Sequence, residues 1–169
     1  AKIPEAVTRA KELGYPALAQ TNHGTTTGLV AFYKECKAQG IKPILGYEAY
    51  LTNNINIKDR EMKLYHVLVL AKDLQGYQNM LKLATYGTEN YYYKPRIDLN
   101  ALVQYREGLI VSTACLGGLI GNPEWPHIVQ TLQKTYGEDF YLEMQPNTLH
   151  EQRELTEYIY DFCEHECKQ

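Results

Sequence analysis

Residues 16–24, Pro-Ala-Leu-Ala-Gln-Thr-Asn-His-Gly, constrain the fold more than any other stretch. The apolar run Ala17 to Ala19 gives way to polar residues and then to Gly24. A short apolar run bounded by a proline and a glycine reads as a buried strand. Its C-terminal edge presents Asn22 and His23. In α/β folds that edge is where ligands and reactive groups collect. One histidine there is more simply a hydrogen-bonded structural residue, so the downstream residues decide whether it has chemistry to do.

The elements around this strand alternate. Ile3, Ala6, Val7, Ala10 and Leu13 fall on one helical face, with Pro4 in the first turn and Gly14 just past the end. Thr25 to Thr27 are placed to cap a second helix bearing Leu29, Phe32, Tyr33 and Cys36. Ile41 to Leu45 and Tyr47 to Leu51 read as one extended strand interrupted by Gly46. Residues 52–63 are polar and predict a surface loop. Tyr65 to Ala71 is a buried strand, and Asp73 caps a helix carrying Leu74, Tyr77, Leu81 and Ala84. Pro95 keeps residues 91–98 irregular. A short helix with Leu99, Leu102 and Val103, a strand over 108–113, a helix over 123–136 and a strand over 140–144 follow. Thr148 and Glu151 form a capping box for a last helix with Leu155, Tyr158, Ile159 and Phe162 inward. Such alternation predicts one α/β domain with a parallel sheet or barrel and helices outside.

Charge and cysteine usage narrow the function. The net charge is −3, from 17 basic and 20 acidic residues, whereas a strong stand-alone nucleic-acid binder is usually basic. Any DNA contact is therefore expected at a strand end in a pocket, or with help from neighbours. The four cysteines (Cys36, Cys115, Cys163 and Cys167) form no dense disulfide framework, which points to reduced thiols and a cytoplasmic location. No apolar run nears the roughly 20 residues of a membrane span. The 15 tyrosines are expected to be half-buried, with their hydroxyls reaching water.

His23, Glu48, His66 and Cys115 are metal-type residues at strand ends or strand-adjacent turns. Imidazole, carboxylate and thiolate together suit zinc or a related transition metal. Spacing alone leaves the plainer readings open: Glu48 as a strand-edge carboxylate, His66 at the start of its strand, and Cys115 as a small core residue. Cys163, His165 and Cys167 read as an exposed helix end with incidental thiols, and His127 and His150 as surface residues.

Several segments taken together carry a resemblance. Ala17–Gly24 is similar to the Ala-Leu-Ala-Leu-Thr-Asp-His-Gly motif of the PHP domain of bacterial replicative DNA polymerase III alpha subunits. Gly40–Glu48, Tyr65–Lys72, Tyr92–Asp98 and Glu107–Leu116 resemble further motifs of that domain, in order, over almost the whole chain. Lys94-Pro95-Arg96-Ile97-Asp98 and Ala114-Cys115-Leu116 resemble the polymerase branch more than the stand-alone phosphatases.

The resemblance implies a distorted (β/α)7 TIM-like barrel, with its first and last strands outside this sequence, so that residues 1–169 are expected to be a single PHP domain truncated at both ends. It implies a Zn2+ or Mn2+/Mg2+ cluster in the intact domain, with His23, Glu48, His66 and Cys115 among its ligands and binding weak or absent in this fragment. Asn22 stands where the family usually has Asp, a partner of the ligands more than a ligand itself. Lys94 and Arg96 are the phosphate-binding candidates. The implied chemistry is metal-assisted phosphodiester hydrolysis of a 3′→5′ exonuclease type, within a subunit whose polymerase domains, DNA and a proofreading subunit are the expected partners, and with no membrane. A non-catalytic scaffold or docking module, and a phosphatase resembling histidinol phosphatase, are the alternatives.

Overall fold

The computed structural model describes residues 2–166 of the chain, with side chains through Glu164. Six helices and six strands follow in order: α1 (Ile3–Glu12), β1 (Ala17–His23), α2 (Leu29–Gln39), β2 (Lys42–Leu51), β3 (Tyr65–Ala71), α3 (Leu74–Glu89), β4 (Arg96–Ile97), α4 (Leu99–Gln104), β5 (Leu109–Ser112), α5 (Trp125–Tyr136), β6 (Phe140–Tyr141) and α6 (His150–Glu166). Among the described residues, no helix is long and apolar enough to cross a membrane. Cys167 of the C-terminal triplet lies outside the described residues, as does the His165 side chain.

The strands form one sheet in the order β1-β2-β3-β5-β6, with β4 paired to β2. The sheet is mixed, not parallel: β1 and β4 run parallel to β2, and β3 runs antiparallel to both β2 and β5. The 52–64 connection explains the departure. It contains no helix, and a parallel return needs a crossover of a dozen or more residues, usually helical. A polar loop without one brings β3 back antiparallel. The described residues leave β1 and β6 as edges, so they form an open sheet and do not close the barrel that the resemblance implies.

Alternation along the strands divides the two faces. Tyr47, Ala49 and Leu51 of β2 and Tyr65, Val67 and Val69 of β3 point into a core with Met80, Leu83, Leu102, Leu109, Val111 and Leu132. Helices α3, α4 and α5 supply that cover. A second cluster joins Val7 and Ala10 of α1 to Phe32 and Cys36 of α2 and to Ile41. Burying one large apolar side chain contributes about 1.5–3 kcal/mol, so these two layers hold the sheet rigid beneath the opposite face. That opposite face carries Glu48, Tyr50 and His66.

Two expectations are corrected here. Helix α3 buries Gly76, Asn79, Met80, Leu83 and Gly87, with the expected Tyr77 and Ala84 partly buried against the same core, whereas the expected Leu74 is 72% exposed. The cause is close approach: a side chain on Gly76 would begin 1.7 Å from the Gly108 carbonyl oxygen. The helix therefore approaches that backbone through Gly76, and Leu74 on its first turn is left outside. At α2 the cap is Gly28, without a side-chain bond. Thr25 and Thr27 hydrogen-bond to each other instead, at 2.7 Å.

Candidate metal centre

Each cluster residue is placed by a different strand or turn. His23 is the last residue of β1 and pairs in register with Glu48 on β2. Two residues on, Tyr50 pairs with His66 at the start of β3. Because β3 is antiparallel, its beginning lies at the same sheet edge as the ends of β1 and β2. This removes the difficulty that His66 opens its strand instead of closing it. Cys115 comes from the turn after β5. Ala114 adopts φ 57°, a left-handed conformation costly for a residue with a Cβ, and the turn is tied to β3 by the His66 N–H donating to the Gly117 carbonyl at 2.8 Å. Gly118 is required there, since a Cβ would stand 1.9 Å from the Thr113 carbonyl oxygen.

The side chains converge on Glu48. Its Oε1 accepts from His66 Nδ1 at 2.6 Å, and its Oε2 lies 3.3 Å from His23 Nε2. Cys115 Sγ lies 3.4 Å from His66 Nδ1 and 3.8 Å from Glu48 Oε1. Donor atoms of His23, Glu48 and His66 all fall within 4.8 Å of one another. The Glu48 and His66 side chains are 16% and 24% exposed and the His23 side chain 59%, so the group opens to solvent on the β1 side. Cys115 joins on the opposite, Glu48–His66 side.

These residues fit a metal. Bonds of about 2.0–2.3 Å in a tetrahedral site set donors roughly 3.3–3.8 Å apart. The His23–Glu48, Cys115–His66 and Cys115–Glu48 separations already have that size. The His66–Glu48 contact alone is shorter, a direct N–H···O bond that a shared ion would open.

Tyr50 belongs to the site although its chemistry did not mark it. Its ring centroid lies 5.2 Å from that of His66 and 6.3 Å from that of His23, and its hydroxyl accepts from Lys94 Nζ at 3.1 Å. The available signal was its spacing, two residues beyond Glu48 and therefore on the same strand face. The remaining expected residues divide. Lys94 is exposed and stands one tyrosine ring from the cluster. Arg96 is 2% exposed and gives its donors to the carbonyls of Asn90, Ile57 and Ile55, so the guanidinium clamps the 52–64 loop and does not face phosphate. Asn22 donates to the Thr27 carbonyl at 3.1 Å, as does Gln20. Its amide therefore fastens the turn after His23 instead of orienting a cluster side chain.

Comparisons with known proteins identify the family of the domain that carries these residues. The PHP domain model matches residues 1–147. The DNA polymerase III subunit alpha of Aquifex aeolicus is 42% identical over 89% of this chain, and that of Borreliella burgdorferi 39% identical over 90%. The chain spans 14% of the length of each of these relatives. A solved structure from Bifidobacterium adolescentis, of a protein proposed to be a metal-dependent phosphoesterase, superposes with a TM-score of 0.58 over 95% of this chain and 78% of that one, at 14% identity. That likeness speaks for the fold alone. The matched region contains His23, Glu48, His66 and Cys115 together, and with it the chain belongs to the PHP domain family.

Proposed function

We propose that this chain is the PHP part of a bacterial-type replicative DNA polymerase III alpha subunit, and that His23, Glu48, His66 and Cys115 form a metal-dependent phosphodiesterase centre within it. The observation that carries the reading is the convergence of imidazole, carboxylate and thiol donors around Glu48 at one sheet edge. His23 would offer Nε2, His66 Nδ1, Glu48 either carboxylate oxygen and Cys115 its sulfur. A thiolate among nitrogen and oxygen donors favours zinc over the harder Mn2+ or Mg2+. A metal bound there supplies Lewis acidity and a more acidic water. The protein's own contribution is placement. Glu48 Oε1 holds the His66 Nδ1 proton when no ion competes, the Tyr50 ring walls one side of the cluster, and Lys94 offers its ammonium to a phosphate oxygen. On this reading the remaining polymerase domains lie in the same longer chain, DNA reaches the site through them, a proofreading subunit is a candidate partner, and the location is cytoplasmic.

The test is zinc and manganese uptake by the purified chain, measured by calorimetry beside hydrolysis of a chromogenic phosphodiester. Weak uptake and slow turnover, both removed by Glu48→Gln, are expected. A chain that takes up neither ion and hydrolyses nothing is a scaffold, and the phosphodiesterase reading falls.

A further inference from the structure

We propose that Tyr91, Tyr92 and Tyr93, with Arg60 and Lys94, form a stacking shelf for the bases of a single strand of nucleic acid whose end is delivered to the Glu48 cluster. The proposal rests on the phosphodiesterase reading and names its substrate class. Tyr91 and Tyr93 are 58% and 59% exposed, whereas the Tyr50 ring beside the cluster is 8% exposed. The backbone holds Tyr93 out: the Tyr92 N–H donates to the Lys94 carbonyl at 3.0 Å, pinching the chain, and Tyr93 at the crest has φ 56°. Such strain persists only where the surroundings enforce it, and it recurs at ligand sites.

The surroundings do enforce it. The Tyr92 ring meets Tyr93 edge to face at 4.8 Å and 87°. Arg96 lies 5.5 Å from the Tyr92 ring centroid and is itself locked by three carbonyls, which gives the pair a fixed base. Arg60 sits 5.0 Å over the Tyr93 ring. The shelf leads directly to the cluster. Lys94 Nζ lies 4.5 Å over the Tyr50 ring, which packs on both histidines, and Pro95 approaches the Gly24 turn that follows His23.

Aromatic rings interleaved with cations are the means by which proteins hold single strands without reading sequence: each base has a face to stack, and the backbone passes the charges. Asp59 and Glu61 alternate with Lys58, Arg60 and Lys63 on the neighbouring loop. The charge contribution is therefore small, and stacking supplies the greater share of the affinity. Only one or two phosphates are neutralised, which sets a shallow salt slope of about −1 on logarithmic axes.

The test is fluorescence anisotropy of the purified chain with a labelled oligothymidylate and with an abasic strand of equal length, both in chelator so that no metal takes part. Oligothymidylate should bind more tightly than the abasic strand. Tyr93→Ala should weaken it roughly tenfold, the size expected for one base on one ring, while Tyr93→Phe keeps the affinity. Lys94→Gln should flatten the salt slope by about 0.7. Equal binding of the two strands, no effect of Tyr93→Ala, or no binding below about 100 μM overturns the shelf. Hydrolysis of the small phosphodiester and its loss in Glu48→Gln decide the phosphodiesterase reading separately, so the two failures are told apart.

Discussion

The two ends of the β2–β3 pair differ in kind. At one end Glu48, His66, His23 and Cys115 gather within hydrogen-bonding reach in a group that opens to solvent at His23. At the other, Val30, Tyr33, Pro43, Leu45, Leu74 and Tyr77 line a hollow of about 420 Å³, rimmed by the Lys72–Asp139 ion pair at 2.7 Å. Volume and apolar lining mark the second end; converging donors mark the first. The hollow lies where residues of α2 and α3 flank the sheet, whereas the cluster arises from strand register. Reaction chemistry needs atoms held at set distances, so register, not volume, locates it.

Five changes break or sharpen this contrast. The largest effect is expected where α3 meets the Gly108 backbone near the apolar end. Gly76→Ala should cost about 3 kcal/mol in urea unfolding, since the new Cβ has backbone in its way. A midpoint equal to the parent chain would show that the helix slides freely and that the apolar end is soft. Next, Glu48→Gln should weaken zinc binding about a hundredfold, which is roughly 2.8 kcal/mol. Tyr33→Ala, at the apolar end, should leave zinc affinity unchanged, and a loss there would couple the two ends.

Cys115→Ser should weaken zinc about tenfold and manganese much less, because the hydroxyl removes the soft donor. Equal losses for both ions would place Cys115 outside the binding set. The smallest effect belongs to Tyr47, beneath the sheet between the two ends. Its hydroxyl is buried without a hydrogen-bond partner among the described residues, and burial pushes its pKa well up, with Tyr136 adding to the shift. Tyr47→Phe should therefore stabilise the fold by about 1 kcal/mol. The pH dependence follows from the raised value. The unfolded chain loses the tyrosine proton near pH 10 while the native state keeps it, so stability is complete below about pH 10 and falls above it. Melting curves from pH 8 to 11 should decline less steeply in the phenylalanine variant. Identical slopes would show that Tyr47 ionises as readily folded as unfolded.

The elements themselves were largely legible. Pro4, Gly14, Asp73 and the Val-Leu-Val-Leu run act within a few residues, and helix or strand follows from such local signals. Asp73 does cap α3, its carboxylate accepting from the Gly76 N–H at 2.8 Å. The Tyr92–Asp98 segment shows the limit. Lys94 and Arg96 looked alike as cations two positions apart, yet one is exposed and the other is sealed under the 52–64 loop by carbonyls roughly forty residues earlier. No local pattern separates them. The same holds for the start of α3, where hydrophobic periodicity pointed to Leu74 while close packing selected Gly76.

The sequence by itself determined which chemistry stands at which strand end: an imidazole at His23, a carboxylate at Glu48, an imidazole at His66 and a thiol at Cys115. Only the tertiary structure decided that they meet. The direction of β3 is set by how the 52–64 loop returns, and that direction puts the beginning of one strand beside the ends of two others. The left-handed turn at Ala114, tied through Gly117 to the His66 backbone, then brings Cys115 in. Pairing between segments distant in the chain is a property of the assembled sheet, and no stretch of residues holds it alone.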